Sequence, residues 1–138
     1  MTTATSTTEI NKTTVQRMFD EIINAGRLDL VDELYDPAFT THTPQGVLDR
    51  EGFRAFVAGW REAFGDIRCT VSDVVAEGDR IAWRVRAEGT HTGDFNGLPP
   101  TGRRVSFDSL NTAVFRDGRG LEHTVIMDLA TLMSQLGV

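Results

Sequence analysis

Gly89-Thr90-His91-Thr92-Gly93-Asp94-Phe95-Asn96-Gly97-Leu98-Pro99-Pro100-Thr101-Gly102-Arg103-Arg104 joins two strand-like runs. Upstream, Arg80 to Thr90 alternates, with Ile81, Trp83, Val85 and Ala87 on one face and Ala82, Arg84, Arg86 and Glu88 on the other. Downstream, Val105 to Phe115 is again β-rich. A bare hairpin needs only about two to five loop residues. The longer Gly- and Pro-studded connection therefore reads as a loop with a task, covering a pocket or forming an interface.

More of the sheet follows on either side. Asp117-Gly118, between Arg116 and Arg119, is a two-residue hairpin signal, and Leu121 to Met127 is the returning strand. Ile67 to Ala76 is an earlier strand, closed by the turn residues Glu77-Gly78-Asp79. The N-terminal half is helical. Ile10, Val15, Met18, Phe19, Ile22 and Ile23 form one stripe and predict a helix over residues 9–25, with Thr8 as cap and Gly26 as stop. Leu28, Val31, Leu34 and Tyr35 share the face of a short helix that Asp36-Pro37 ends. Phe39 to Thr43 is a short extended piece, and Pro44-Gln45-Gly46 turns the chain. A third helix starts near Arg50 behind Asp49, with Phe53, Phe56, Val57, Trp60 and Phe64 on one face. Leu129, Leu132, Met133 and Leu136 predict a short C-terminal helix. Helices first and a strand meander after is an α+β pattern with a mainly antiparallel sheet. A curved sheet covered by three apolar helices leaves a cone around an apolar pocket, where a small ligand would sit.

The bulk numbers narrow the function. A chain of 138 residues suits one domain, read as residues 9–138 behind a frayed tail at 1–8. The net charge of −6 repels phosphate backbones, so nucleic acid is not an expected partner. A polar, Thr-rich start and the lack of any membrane-length apolar run point to a cytoplasmic protein without membrane contact. Cys69 is the sole cysteine, which excludes an intrachain disulfide and reads as a small buried hydrophobe.

The sequence holds no nucleophile elbow, zincin helix, P-loop or dinucleotide fingerprint. His42, His91 and His123 lack local ligand spacing, so no metal site is expected. Acid–base chemistry remains. Asp128 follows Val125-Ile126-Met127 and precedes Leu129-Ala130. Held among such residues its carboxyl would lose hydration and its pKa would rise, as a proton shuttle needs. Equally, Asp128 suits the cap of the last helix. His42 reads as a pocket base or a polar loop residue, and His91 as a ligand contact or an exposed turn residue. Strict alternation sets Glu122, Thr124, Ile126 and Asp128 on one face of their strand and His123 on the other, away from the Asp128 pocket, an assignment that a β-bulge would undo. Trp60, Trp83, Phe53 and Phe56 are core residues or walls for a flat ligand. Asp108 and Asn111 need hydrogen-bond partners if buried, or lie on the solvated face.

Four segments together resemble the SnoaL-like polyketide cyclases of the NTF2-like superfamily. They are Asn24-Ala25-Gly26-Arg27-Leu28-Asp29 behind Phe19; Glu51-Gly52-Phe53-Arg54-Ala55-Phe56 leading to Ala63-Phe64-Gly65-Asp66-Ile67-Arg68; Glu77-Gly78-Asp79-Arg80 through Gly89-Thr90-His91-Thr92-Gly93 to Thr101-Gly102-Arg103; and Phe115-Arg116-Asp117-Gly118-Arg119 with Glu122-His123, Asp128 and Gln135-Leu136-Gly137. The resemblance implies an NTF2-like cone, commonly a homodimer or higher homo-oligomer, around a deep apolar pocket. It implies an enzyme of antibiotic biosynthesis that closes a ring of an aromatic polyketide by intramolecular aldol condensation, with no metal and no cofactor. A last-strand Asp acts there as acid and base, and Asp128 matches it. His42 and His91 would steady the enolate oxygen. Trp60, Phe56, Trp83, Asn111 and Thr124 would line the site for a hydrophobic, polycyclic or polyketide-like ligand. Family members often carry Trp after Glu-His. Here Thr124 stands in its place, which would enlarge the pocket on the Asp128 side. Some relatives instead assist polyketide hydroxylation with a reductase, and a non-catalytic binding protein would use the same cone.

Overall fold

The computed structural model describes residues 6–138. The chain opens with α1 (Thr7–Arg17), which continues as a π-helix over Met18–Asn24. Ser6 caps α1, its hydroxyl accepting from the Glu9 amide at 3.2 Å. The helix thus begins before the expected cap, Thr8, and residues 7 and 8 belong to it rather than to a tail. The remainder of the expected tail, residues 1–5, lies outside the described residues. Gly26 (φ +76°) ends the helical run as expected. A 3₁₀ turn (Leu28–Leu30) leads into α2 (Val31–Leu34). Then come β1 (Tyr35–Thr43), the short β2 (Gly46–Leu48) and α3 (Arg50–Ala63), capped by Asp49 through the Gly52 amide at 2.8 Å. The rest is β3 (Arg68–Glu77), β4 (Arg80–Thr90), β5 (Arg104–Arg116), β6 (Arg119–Met127) and α4 (Leu129–Leu136).

The strands form one curved six-stranded sheet in the order β2-β1-β6-β5-β4-β3. It is α+β and mainly antiparallel, as the hairpin signals predict, with one parallel pair where β1 returns beside β6. The sheet is not closed on itself. The apolar faces of the π-helix and α3 cover its concave side, and Phe19, Phe53, Val57, Trp83, Phe107 and Phe115 are buried between the layers. Asp117 and Gly118 both have positive φ, as a tight primed turn requires.

Two departures from regular pairing set which side chains face inward. β6 carries an extra residue, Leu121, between the pairs Phe115↔Gly120 and Val114↔Glu122. Past this bulge His123, Val125 and Met127 turn to the concave side, and Glu122, Thr124, Ile126 and Asp128 to the convex side. The second is the loop that begins at His91. The Thr92 and Gly93 amides both donate to the Ala63 carbonyl at 3.0 Å, which ties the loop to the end of α3. A Cβ at Gly93 would collide with the Glu62 carbonyl, so only glycine allows this approach.

Candidate functional site

The concave side holds a cavity of about 80 Å³. Its walls are almost wholly apolar. Phe19 and Ile23 come from the π-helix, Phe53, Phe56 and Trp60 from α3, and Val85, Phe107 and Val125 from the sheet. The α3 spacing of Phe53, Phe56, Val57 and Trp60 puts them on one helical face, which is why one helix supplies so much of the wall. Phe56 and Trp60 also border a surface hollow of about 300 Å³ whose rim includes Gln45, Glu62, Asp94 and Asn96. These two half-buried rings stand between the cavity and that hollow. A void near 150 Å³ is what holds a single benzene-sized ring. A multi-ring ligand therefore needs more room than these side chains leave as placed.

One polar pair stands in the cavity wall. His123 Nε2 lies 2.8 Å from Asn111 Oδ1, and the imidazole stacks on Trp83 with centroids 5.3 Å apart. Asn111 Nδ2 donates to Ser109 Oγ at 3.1 Å, which leaves Oδ1 to accept. An amide oxygen only accepts, so this contact places the imidazole proton on Nε2 and the lone pair on Nδ1. Burial disfavours the imidazolium and pushes the His123 pKa down to about 4. Cys69 also lines the cavity, and burial pushes its thiol up to about 12, so it is no thiolate at neutral pH. No carboxylate lines the cavity among the described residues.

The site expected from the sequence is divided by this geometry. Phe56, Trp60 and Asn111 line the cavity. Trp83 is buried behind His123 rather than in the wall, where it backs the imidazole. Thr124 is exposed on the convex face, so it changes no cavity wall. His42 is Thr124's partner across β1 and β6 and is exposed on the same convex side. His91 is fully buried, yet it faces the loop and not the cavity. Its Nδ1 accepts from the Thr101 amide at 3.1 Å, and its backbone pairs with Gly102 and Arg103. It pins the two ends of the long loop together. Asp128 is exposed and caps α4. One oxygen accepts from the Thr131 hydroxyl at 2.6 Å and the other from the Thr131 amide at 3.1 Å. These bonds hold its pKa below the ordinary carboxylate value, the reverse of the rise expected for a sequestered carboxyl.

The residue that sequence reading set aside is His123. Alternation separated it correctly from Asp128, but the cavity lies on the His123 side. A signal was present in β5: Asn111 shares parity with Val105, Phe107, Ala113 and Phe115, so it belongs to the buried face and needs a partner there.

Three comparisons bear on this fold and cavity. The profile of the SnoaL-like polyketide cyclases matches residues 13–136. Nogalonic acid methyl ester cyclase of Streptomyces nogalater is 31% identical over 120 residues, covering 83% of this chain and 88% of that protein. Among solved structures, IdmH of Streptomyces antibioticus, a candidate polyketide cyclase, is 36% identical with a TM-score of 0.81, covering 93% of this chain and 99% of that one. A SnoaL-like protein from Jannaschia sp. CCS1 is 30% identical with a TM-score of 0.87, covering 100% and 99%. The chain therefore belongs to the SnoaL-like polyketide cyclase family.

Proposed function

We propose that the chain closes a ring in a flat, apolar polyketide intermediate by proton transfer inside the cavity, with His123 as the base. The carrying observation is that His123, with its Nδ1 lone pair unpaired, is set by Asn111 in an otherwise greasy wall. The neutral imidazole takes a proton from a carbon acidified by two flanking carbonyls. The resulting enolate attacks a further carbonyl of the same molecule. The imidazolium then returns its proton to the new alkoxide. A pKa near 4 makes His123 a weak base alone. The enolate formed beside it offsets this, because an opposite charge in apolar surroundings raises proton affinity. Confinement supplies the rest by holding both ends of the substrate together. In the same reading the protein works without a cofactor, in the cytoplasm, as a homodimer paired through its convex sheet face.

The test uses nogalonic acid methyl ester, the compound named for the relative above, and aklanonic acid methyl ester, named for a cyclase of Streptomyces sp. (strain C5) that is 28% identical over 130 residues. The wild type is expected to cyclise at least one of them. His123→Gln should lower kcat on the order of 10²–10⁴-fold, the usual worth of a general base. Asp128→Asn, which still caps a helix, should stay within a few-fold of wild type. The opposite ranking would return the acid–base role to Asp128. AclR of Streptomyces galilaeus, a candidate hydroxylase 27% identical with a TM-score of 0.84, motivates a control with added reductase and reductant. Turnover only under those conditions would favour a hydroxylation role. Binding without conversion under any of them would favour a carrier.

A further inference from the structure

We infer that Thr41 is a second catalytic residue, donating a hydrogen bond to the substrate oxygen that becomes negative when His123 removes the proton. The inference rests on the cyclase reading above. Thr41 is 1% exposed and lines the cavity. It is the Cα partner of His123 across the parallel β1–β6 pair, so the two side chains rise next to each other from the same face of the sheet. Its hydroxyl is buried and has no hydrogen-bond partner. Asn111, the other amide-bearing group in the wall, is already engaged: its Oδ1 with His123, and its Nδ2 donating to Ser109 Oγ. Trp83 Nε1 is also buried without a partner, but Trp83 stands behind the imidazole and not in the wall.

A buried hydroxyl left unpaired destabilises the empty protein. A donor kept for a ligand has just this appearance. The step it serves is balanced as follows. The C–H bond between two carbonyls breaks, and the proton goes to His123 Nδ1. The electron pair moves onto a carbonyl oxygen, which accepts from the Thr41 O–H. As the new C–C bond forms, that oxygen becomes a carbonyl again. The attacked carbonyl becomes an alkoxide and takes the proton back. The Thr41 contact is thus strongest while charge resides on the enolate, and so it acts on kcat rather than on ground-state binding.

Thr41→Val keeps the shape and deletes the donor, while Thr41→Ser keeps the donor. With the two methyl esters, Thr41→Val should lower kcat about 10- to 100-fold and leave KM within about threefold, with Thr41→Ser near wild type. The Val variant should unfold at the same or a higher temperature, because an orphaned hydroxyl has been removed. A second readout needs no turnover. Bound 4-nitrophenol should ionise roughly one pH unit lower in wild type than in Thr41→Val, since the hydroxyl stabilises its phenolate. Normal kcat in Thr41→Val together with an unshifted nitrophenol overturns the Thr41 role and leaves His123 standing if His123→Gln is inactive. Full activity in His123→Gln takes down the cyclase reading itself. A Thr41→Val that unfolds several degrees lower and is not rescued by Ser would make Thr41 a packing residue only.

Discussion

Asp128 and His123 illustrate how far a residue's chemistry depends on the face it occupies. Both are titratable residues near the end of the chain, five positions apart. His123 enters an apolar cavity and is driven towards neutrality, while Asp128 meets water and Thr131 and is held ionised. The environment of Asp128 is that of a helix cap, and its deletion should be felt there. Asp128→Ala is expected to lower the thermal midpoint by roughly 4 °C, the scale of a lost cap in a chain of this size. Cyclisation of the methyl esters should persist once the variant is held below that midpoint. Loss of turnover with an unchanged midpoint would mean that the carboxyl serves the reaction and not α4. His123 was legible only in part. Its separation from Asp128 follows from alternation, but which of the two faces is concave does not.

At the scale of elements, the hairpins and the helical faces could be read directly, because each rests on local chemistry. Asp117-Gly118 takes the positive φ pair of a tight turn, and the aromatic face of α3 is written at helical spacing. The bulge at Leu121 was not legible. Continuing the Arg116↔Arg119 pairing without interruption would set Asn111 opposite Thr124, on one face with Asp128. The extra residue sets Asn111 opposite Val125 instead and turns His123 inward. No residue in Arg119-Gly120-Leu121-Glu122 announces the bulge; burying Phe115 beside Gly120 and also Ala113 beside His123 demands it. The same alternation leaves Val75, Leu110 and Ile126 at 68%, 55% and 67% exposure on the convex face, with Ala82, Thr112 and Thr124 among them. Solvent-facing apolar residues clustered on one sheet face mark an interaction surface, and a second copy of the chain is the partner we propose. Light scattering should give twice the 15.2 kDa chain mass. Leu110→Lys should shift the protein to the monomer with its circular dichroism intact. A monomeric wild type would remove the pairing without touching the cavity.

For the whole molecule, building a cavity around a neutral imidazole ties stability to pH. The His123 pKa falls from 6.5 to about 4 on folding, with burial as the cause. Among the described residues no charged group lines the cavity beside it, and the Cys69 thiol stays protonated. Above pH 6.5 the imidazole is neutral in both folded and unfolded chains, and the native state has its full stability. Between pH 6.5 and 4 the unfolded chain binds a proton that the folded chain refuses, so stability falls as pH falls. The loss over this window is on the order of 3 kcal/mol, taking about 1.4 kcal/mol per pKa unit. Asp36 beside Arg116, Asp66 under the Thr90 amide and Asp108 beside Arg86 have pKa values below 3.8, so their contributions disappear only at lower pH. Urea titrations at pH 7, 6, 5 and 4 should therefore show a decline well before those carboxylates protonate. In His123→Phe the decline between pH 6.5 and 4 should flatten, while the steeper loss at lower pH remains. An equal slope in wild type and variant would show that His123 titrates as freely in the folded chain as in the unfolded one, and would remove burial as the source of its lowered pKa.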